Sequence, residues 1–288
     1  MNSCRNASGF TLAELAIVVL IIGLVLAGLL GPIGAQFQIA QASSNQERLD
    51  AARDAVIGFA VANRRLPCPD RTGDGVEDQR GGGDPATFGC AGNIYEGFLP
   101  WATLGLTPGD YFATRLRYRV SAEFTRANGD ASAATCAVTA QNPNACTFES
   151  SDTGDIPVCQ ARNGCPAGAA GAGWLMRPSA GPPATAGAAF VIVSHGANRL
   201  GGTGTDGTAL PAPPGGTDEA LNAPLIAGIA PGPRATANPF MSRPIITGAD
   251  AAACADAGAT LCNFDDQLTF VGAGLLVGRL TQAGVRLQ

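Results

Sequence analysis

The chain contains no lysine; all 18 of its basic residues are arginine. A genome-composition bias explains this as well as any mechanism, but the absence still has consequences. Neither Gly81–Gly83 nor the glycine-rich run ending at Gly204 is followed by the lysine that a phosphate-cradling loop needs. Histidine is nearly missing as well, with His195 the single example. A serine hydrolase needs a nucleophile, a base and an orienting acid, and no Gly-x-Ser-x-Gly frames a nucleophile here. A lone histidine beside a glycine turn is expected to be structural. No Cys-x-x-Cys occurs and His195 lies far from the cysteines, which argues against zinc. Charge is sparse, with 14% of residues charged and a net charge of −5. The arginines are scattered, so no nucleic-acid surface is expected. The chain does not read as an enzyme.

What is present at the start is a long apolar run. From Phe10 to Leu30 the only formal side-chain charge is Glu14. As a helix this run would span about 30 Å, one bilayer crossing. The leader before it carries one positive charge, Arg5, which by the positive-inside tendency keeps the N-terminus cytoplasmic. Loss of that leader would leave the chain one unit more negative. No convincing Ala-x-Ala site follows the run, although the segment from Gly31 to Ala35 is loosely permissive, so the run is expected to stay in the mature chain. A carboxylate near the membrane interior costs roughly 2.5–3.5 kcal/mol unless it lies close enough to the interface to be solvated. If the chain is cut after Gly9, a neighbouring protomer's new α-amino group could pair with Glu14. At about 4 Å and an effective dielectric of about 20, that pair is worth about 4 kcal/mol before desolvation.

The pattern Gly9, Phe10-Thr11-Leu12-x-Glu14-Leu15, followed by the apolar helix, resembles the type IV pilin and type II secretion pseudopilin superfamily. The resemblance implies cleavage after Gly9 by a prepilin peptidase, N-methylation of Phe10 and an assembly role for Glu14. It implies as partners other pilin or pseudopilin subunits, an inner-membrane assembly platform and the lipid bilayer. The implied location is the bacterial inner membrane, single-pass, with the C-terminal head in the periplasm, and then a periplasmic or surface filament. The head is larger than in a typical major subunit, which favours a minor one. A head that uses the filament as a mount for binding or adhesion is the alternative.

Eight cysteines follow the apolar run: Cys68, Cys90, Cys136, Cys146, Cys159, Cys165, Cys254 and Cys262. An even count on the exported side predicts disulfides. Of the 105 connectivities open to eight cysteines, the sequence-local set comes first: Cys68–Cys90, Cys136–Cys146, Cys159–Cys165 and Cys254–Cys262.

The chain divides into a leader (1–9), a transmembrane and assembly helix (10–31), the amphipathic half of a helical spine (32–65) and a β-rich head (66–288). Pro32 is expected to kink or locally melt the spine. Beyond it Leu49, Ala52, Val56, Phe59 and Ala60 form one apolar stripe, with Arg48, Asp50, Arg53 and Asp54 mostly off it. Leu66-Pro-Cys-Pro-Asp70 ends the helix. Strands are expected at 115–120, 136–139, 189–193 and 267–271, and a short helix near 275–283. The stretches 164–187 and 200–236 are rich in Gly, Ala and Pro and read as loops. The predicted fold is α+β: a long N-terminal helical spine packed on an antiparallel sheet with long stapled loops. The resemblance implies the same pilin-like fold.

No cofactor is required by this reading, but two segments could hold calcium. Asp70, Thr72 and Asp74, followed by Gly75, match the opening of a calcium loop. Its twelfth position is Gly81 where a bidentate Glu is expected, so Glu77 or Asp78 would close the site. The alternative is a solvated acidic turn braced by Cys68–Cys90. Ser194-His-Gly-Ala-Asn198 and Phe264-Asp265-Asp266 resemble pseudopilin segments that help hold calcium, which implies metal roles for Asn198, Asp265 and Asp266. A long insertion separates the two segments, and Asp265 or Asp266 could instead cap a turn. The aromatic cluster from Tyr95 to Trp101 is expected to pack in the core.

Overall fold

The computed structural model describes residues 11–79, 89–125, 154–160, 173–177, 187–215, 217–223, 239–246 and 263–285; within the first helix the side chains of 26–35 lie outside this description. The chain divides into two compact units, Met1–Ser44 and Asn45–Gln288.

Helix α1 (Leu12–Asn63) runs without interruption through Pro32. The local melt expected there is not found. Proline removes a single backbone donor, and the helix continues on both sides of it. In the first unit the described part of the apolar run is exposed throughout, with Leu12 at 88% and Leu24 at 67%. Among the described residues no helix is long and apolar enough to cross a membrane. The apolar run continues into residues 26–30, whose side chains lie outside the described set.

In the second unit the predicted stripe on α1 is the buried one. Leu49, Ala52, Val56 and Ala60 enter the core, while Phe59 lies half-buried with the Arg65 guanidinium 5.1 Å from its ring centre. Arg53, off the stripe, pairs with Asp50 and Asp54 at 2.9 Å each. The stripe packs on a four-stranded antiparallel sheet of order β1-β2-β5-β7, formed by Glu96–Phe98, Arg117–Val120, Ala188–Ser194 and Gln267–Gly272. The period-two pattern explains the facing in β2. Tyr118 and Val120 join the core against α1. On the other face Arg117 meets Glu96 at 3.0 Å, and the buried Arg119 lies between Glu96 and Asp155 at 3.9 and 4.0 Å.

Every residue of β5 is buried, because the strand is covered on both faces. Phe190 and Ile192 face the α1 core; Val191 and Val193 pack on Ile156, Val158 and Phe240. Those partners belong to or adjoin a second, small sheet of order β4-β3-β6: Trp174–Met176, Val158–Cys159 and Phe240–Met241. Its β3–β6 pair is parallel. This layer was not expected, since β4 lies in a stretch whose composition reads as loop. The short helix α2 (Asp218–Asn222) breaks the second such stretch, and α3 (Ala273–Gln282) follows β7 as the sequence predicts. The strand expected at 136–139 lies outside the described residues. Tyr95 and Leu99 are core residues, as expected of their cluster.

Candidate functional site

Four segments place the head's functional candidates. The chain leaves β5 at Ser194 and turns through His195 and Gly196 to Asn198. Gly196 has φ +57°, and a Cβ there would stand 2.3 Å from the Asp265 carbonyl oxygen and 2.5–2.6 Å from its carboxyl group. Glycine is therefore what lets Asp265 close against this turn. The second segment is Phe264-Asp265-Asp266, just before β7, and the third is Glu219 on α2. Thr217 caps that helix, its Oγ1 accepting from the Ala220 N–H at 3.3 Å. Asn45 on α1 supplies the fourth.

Asn198 joins two of these carboxylates. Its backbone N–H donates to Asp265 Oδ2 at 2.7 Å and its Nδ2 donates to Glu219 Oε1 at 2.9 Å. The Asp265 N–H reaches the same Glu219 oxygen at 3.1 Å. Asn198 Oδ1 accepts from the Leu200 N–H at 2.9 Å. The Asn198 amide thereby orients the carboxylates. Glu219, Asp265 and Asp266 each offer an oxygen within 4.8 Å of the others. His195 Nδ1 lies 3.5 Å from Asp266 Oδ1, with both side chains fully buried. Among the described residues, both imidazole nitrogens, both Asp266 oxygens and Asp265 Oδ1 have no hydrogen-bond partner. Burial, reinforced by the charge of Asp266, pushes the Glu219 carboxyl up to about 8. Burial also raises Asp265, against the hydrogen bond from Asn198.

Beside this cluster Ser194 Oγ donates to Asp110 Oδ2 at 2.5 Å and accepts from Asn45 Nδ2 at 2.8 Å. Asn45 Nδ2 also reaches Gln267 Oε1, and its Oδ1 accepts from the Tyr111 N–H at 3.1 Å. Burial raises the Asp110 carboxyl, although three hydrogen bonds pull the other way. Ser194 and His195 are both buried, and the serine hydroxyl is engaged by Asp110 and Asn45.

The 70–78 turn is built differently. Asp70 accepts from the N–H groups of Gly73 and Gly75 at 2.6 and 2.7 Å, and from Thr72 Oγ1 at 3.3 Å. Glu77 makes a two-pronged pair with Arg65 at 2.7 Å on each oxygen. Asp74 accepts from the Val76 N–H at 2.8 Å and Asp78 from the Arg71 N–H at 2.7 Å. The turn's own N–H groups hold Asp70, Asp74 and Asp78, while Arg65 holds Glu77. The Cys68–Cys90 disulfide braces it, as expected from sequence locality. Cys159 is disulfide-bonded as well, to a partner outside the described residues. Cys136, Cys146, Cys165, Cys254 and Cys262 all lie outside them, so the other three expected pairings do too.

At the N-terminus, the Thr11 N–H and hydroxyl both donate to Glu14 Oε2 at 2.9 Å, and the Glu14 N–H returns to Thr11 Oγ1 at 3.3 Å. Glu14 thus stands in the first turn of α1, a placement its sequence position predicts; the capping role was missed, though Thr-x-x-Glu signals it. Residues 4–30 match the family model of the prokaryotic N-terminal methylation motif. The chain carries a prepilin-type N-terminus. This motif is the signature of type IV pilin- and pseudopilin-type proteins, which are structural subunits processed by prepilin peptidase and assembled with other pilin subunits. It fits a membrane-anchored chain that passes into a filament. Gly9 and Phe10, the expected processing positions, lie outside the described residues. No curated protein and no solved structure matches the chain.

Glu219 is the candidate that sequence reading missed. Its flanks are proline- and glycine-rich, yet Thr217-Asp218-Glu219 carries a helix-start signal: a capping threonine followed by acids in the first turn.

Proposed function

We propose that the chain is a minor subunit of a type II secretion pseudopilus or type IV pilus. Cleavage after Gly9 exposes Phe10, which is methylated, and the subunit then leaves the inner membrane through its N-terminal helix. The observation that carries this reading is the prepilin-type motif with an acid in the first turn of a helix whose apolar side chains are exposed from Leu12 to Val25. Exposed apolar surface on that scale calls for a partner, first lipid and then neighbouring helices. Glu14 sets the register: a carboxylate among apolar helices is tolerated where a cation meets it, and a neighbour's terminal amine is that cation.

The head is a stable display element, held by the Cys68–Cys90 staple and a core closed on both faces of β5. The test compares Glu14→Leu with wild type in the native host for filament incorporation, protein secretion and twitching. Loss of secretion alone selects the pseudopilus, and loss of twitching alone selects the pilus. Normal behaviour in all three assays contradicts an assembly role for the acid.

A further inference from the structure

We propose that Asn45 and Ser194 join in an intramolecular ester, formed by the folded chain itself, which locks α1 covalently to β5. The two residues stand 149 positions apart in sequence, yet Asn45 Nδ2 lies 2.8 Å from Ser194 Oγ. On its other side the same hydroxyl donates to Asp110 Oδ2 at 2.5 Å. A hydroxyl held between a carboxylate and a carboxamide sets a base and an electrophile on either side of one nucleophile. The carbonyl half of the amide is polarised as well. Asn45 Oδ1 accepts from the Tyr111 N–H at 3.1 Å, a donor placed where negative charge would develop. Asn45 and Ser194 are fully buried and Asp110 nearly so, which keeps out the water that would hydrolyse an ester.

The step balances within the chain. The carboxamide turns about its own side-chain bond to bring Cγ, one bond from Nδ2, to Ser194 Oγ. The Oγ–Cγ bond forms as the hydroxyl proton passes to Asp110 Oδ2, and charge gathers on Oδ1 facing the Tyr111 N–H. The Cγ–Nδ2 bond then breaks, Asp110 returns the proton to the departing nitrogen, and ammonia leaves. Its escape to solvent draws the reaction forward, and no oxidant or cofactor is consumed. Burial makes the Asp110 carboxylate more basic than an ordinary one. Packing supplies the proximity: Asn45 sits where α1 enters the head, and Ser194 ends β5, the strand covered on both faces.

The test is a peptide map of the full chain, purified from its native host, reduced, and digested under acidic conditions that spare esters. The expected result is one branched peptide joining the segment that bears Asn45 to the segment that bears Ser194. Its mass falls short of the two parts by one ammonia, and mild alkali splits it, leaving an aspartate at position 45. Ser194→Ala abolishes the branch by removing the nucleophile, and Asp110→Asn abolishes it by removing the base. Separate, unbranched peptides from the wild-type chain overturn the proposal and leave a hydrogen-bonded network only. A branch through Gln267, whose side-chain oxygen also meets Asn45 Nδ2, overturns the assignment of the electrophile. If the variants fail to fold, the wild-type map still decides. The readout needs no filament, so a negative result leaves the assembly reading untouched.

Discussion

Thr11 and Glu14 close on each other at the start of α1. The threonine N–H and hydroxyl both donate to one carboxylate oxygen at 2.9 Å, and the Glu14 N–H returns to the hydroxyl at 3.3 Å. Glu14 is therefore satisfied within its own helix before any neighbour arrives. A cap of this kind is worth about 1 kcal/mol, while a partly desolvated pairing with an amine is worth several times that before desolvation. The two roles can be separated. Glu14→Gln keeps a side chain that can close the cap but removes the charge, and should be lost from sheared filaments. Thr11→Ala weakens the cap by about 1 kcal/mol but keeps the charge, and should still be incorporated. Equal incorporation of Glu14→Gln and wild type would reduce the acid to a helix cap.

Asn45 ties the entry of α1 into the head to β5 and β7. Its fully buried amide donates to Ser194 and Gln267 and accepts from the Tyr111 N–H. Asn45→Ala leaves those partners unsatisfied, each at about 1–3 kcal/mol. The expected loss is at least about 2 kcal/mol, read as a lower urea midpoint with an unchanged slope.

Asp110 gives the head a pH dependence. Burial holds its carboxyl above the ordinary value of 3.8, although Ser194, Thr114, Phe112 and the charge of His195 pull it down. The folded state therefore holds this proton to higher pH than the unfolded chain does. Its contribution is fully present below the ordinary carboxylate range and is lost as pH rises through the raised value. Asp110→Asn should flatten that part of the stability curve, measured by urea midpoints at a series of pH values. An unchanged slope would mean that the hydrogen bonds outweigh burial.

The main elements were legible wherever periodicity was strong. The α1 stripe at Leu49, Ala52, Val56 and Ala60 is the buried face, and β2, β5 and β7 lie where alternation or apolar runs placed them. The second sheet was not legible, because β4 and β6 are three and two residues long and their packing partners are distant in sequence. Asp265 and Asp266 were visible as candidates, but Glu219 reaches them only through tertiary packing across the Gly/Pro-rich segment. The local melt that Pro32 suggested is not found, because one missing donor does not open a 52-residue helix. The calcium loop suggested by Asp70 and Asp74 is one whose carboxylates are already held by the turn's own N–H groups.

The processing step is the most direct test of the whole account. The protein is purified from its native host and its N-terminal peptide is read by mass spectrometry. The account predicts a mature chain that begins at Phe10 with a methylated amine. A chain that still begins at Met1 in cells with a working prepilin peptidase would contradict it.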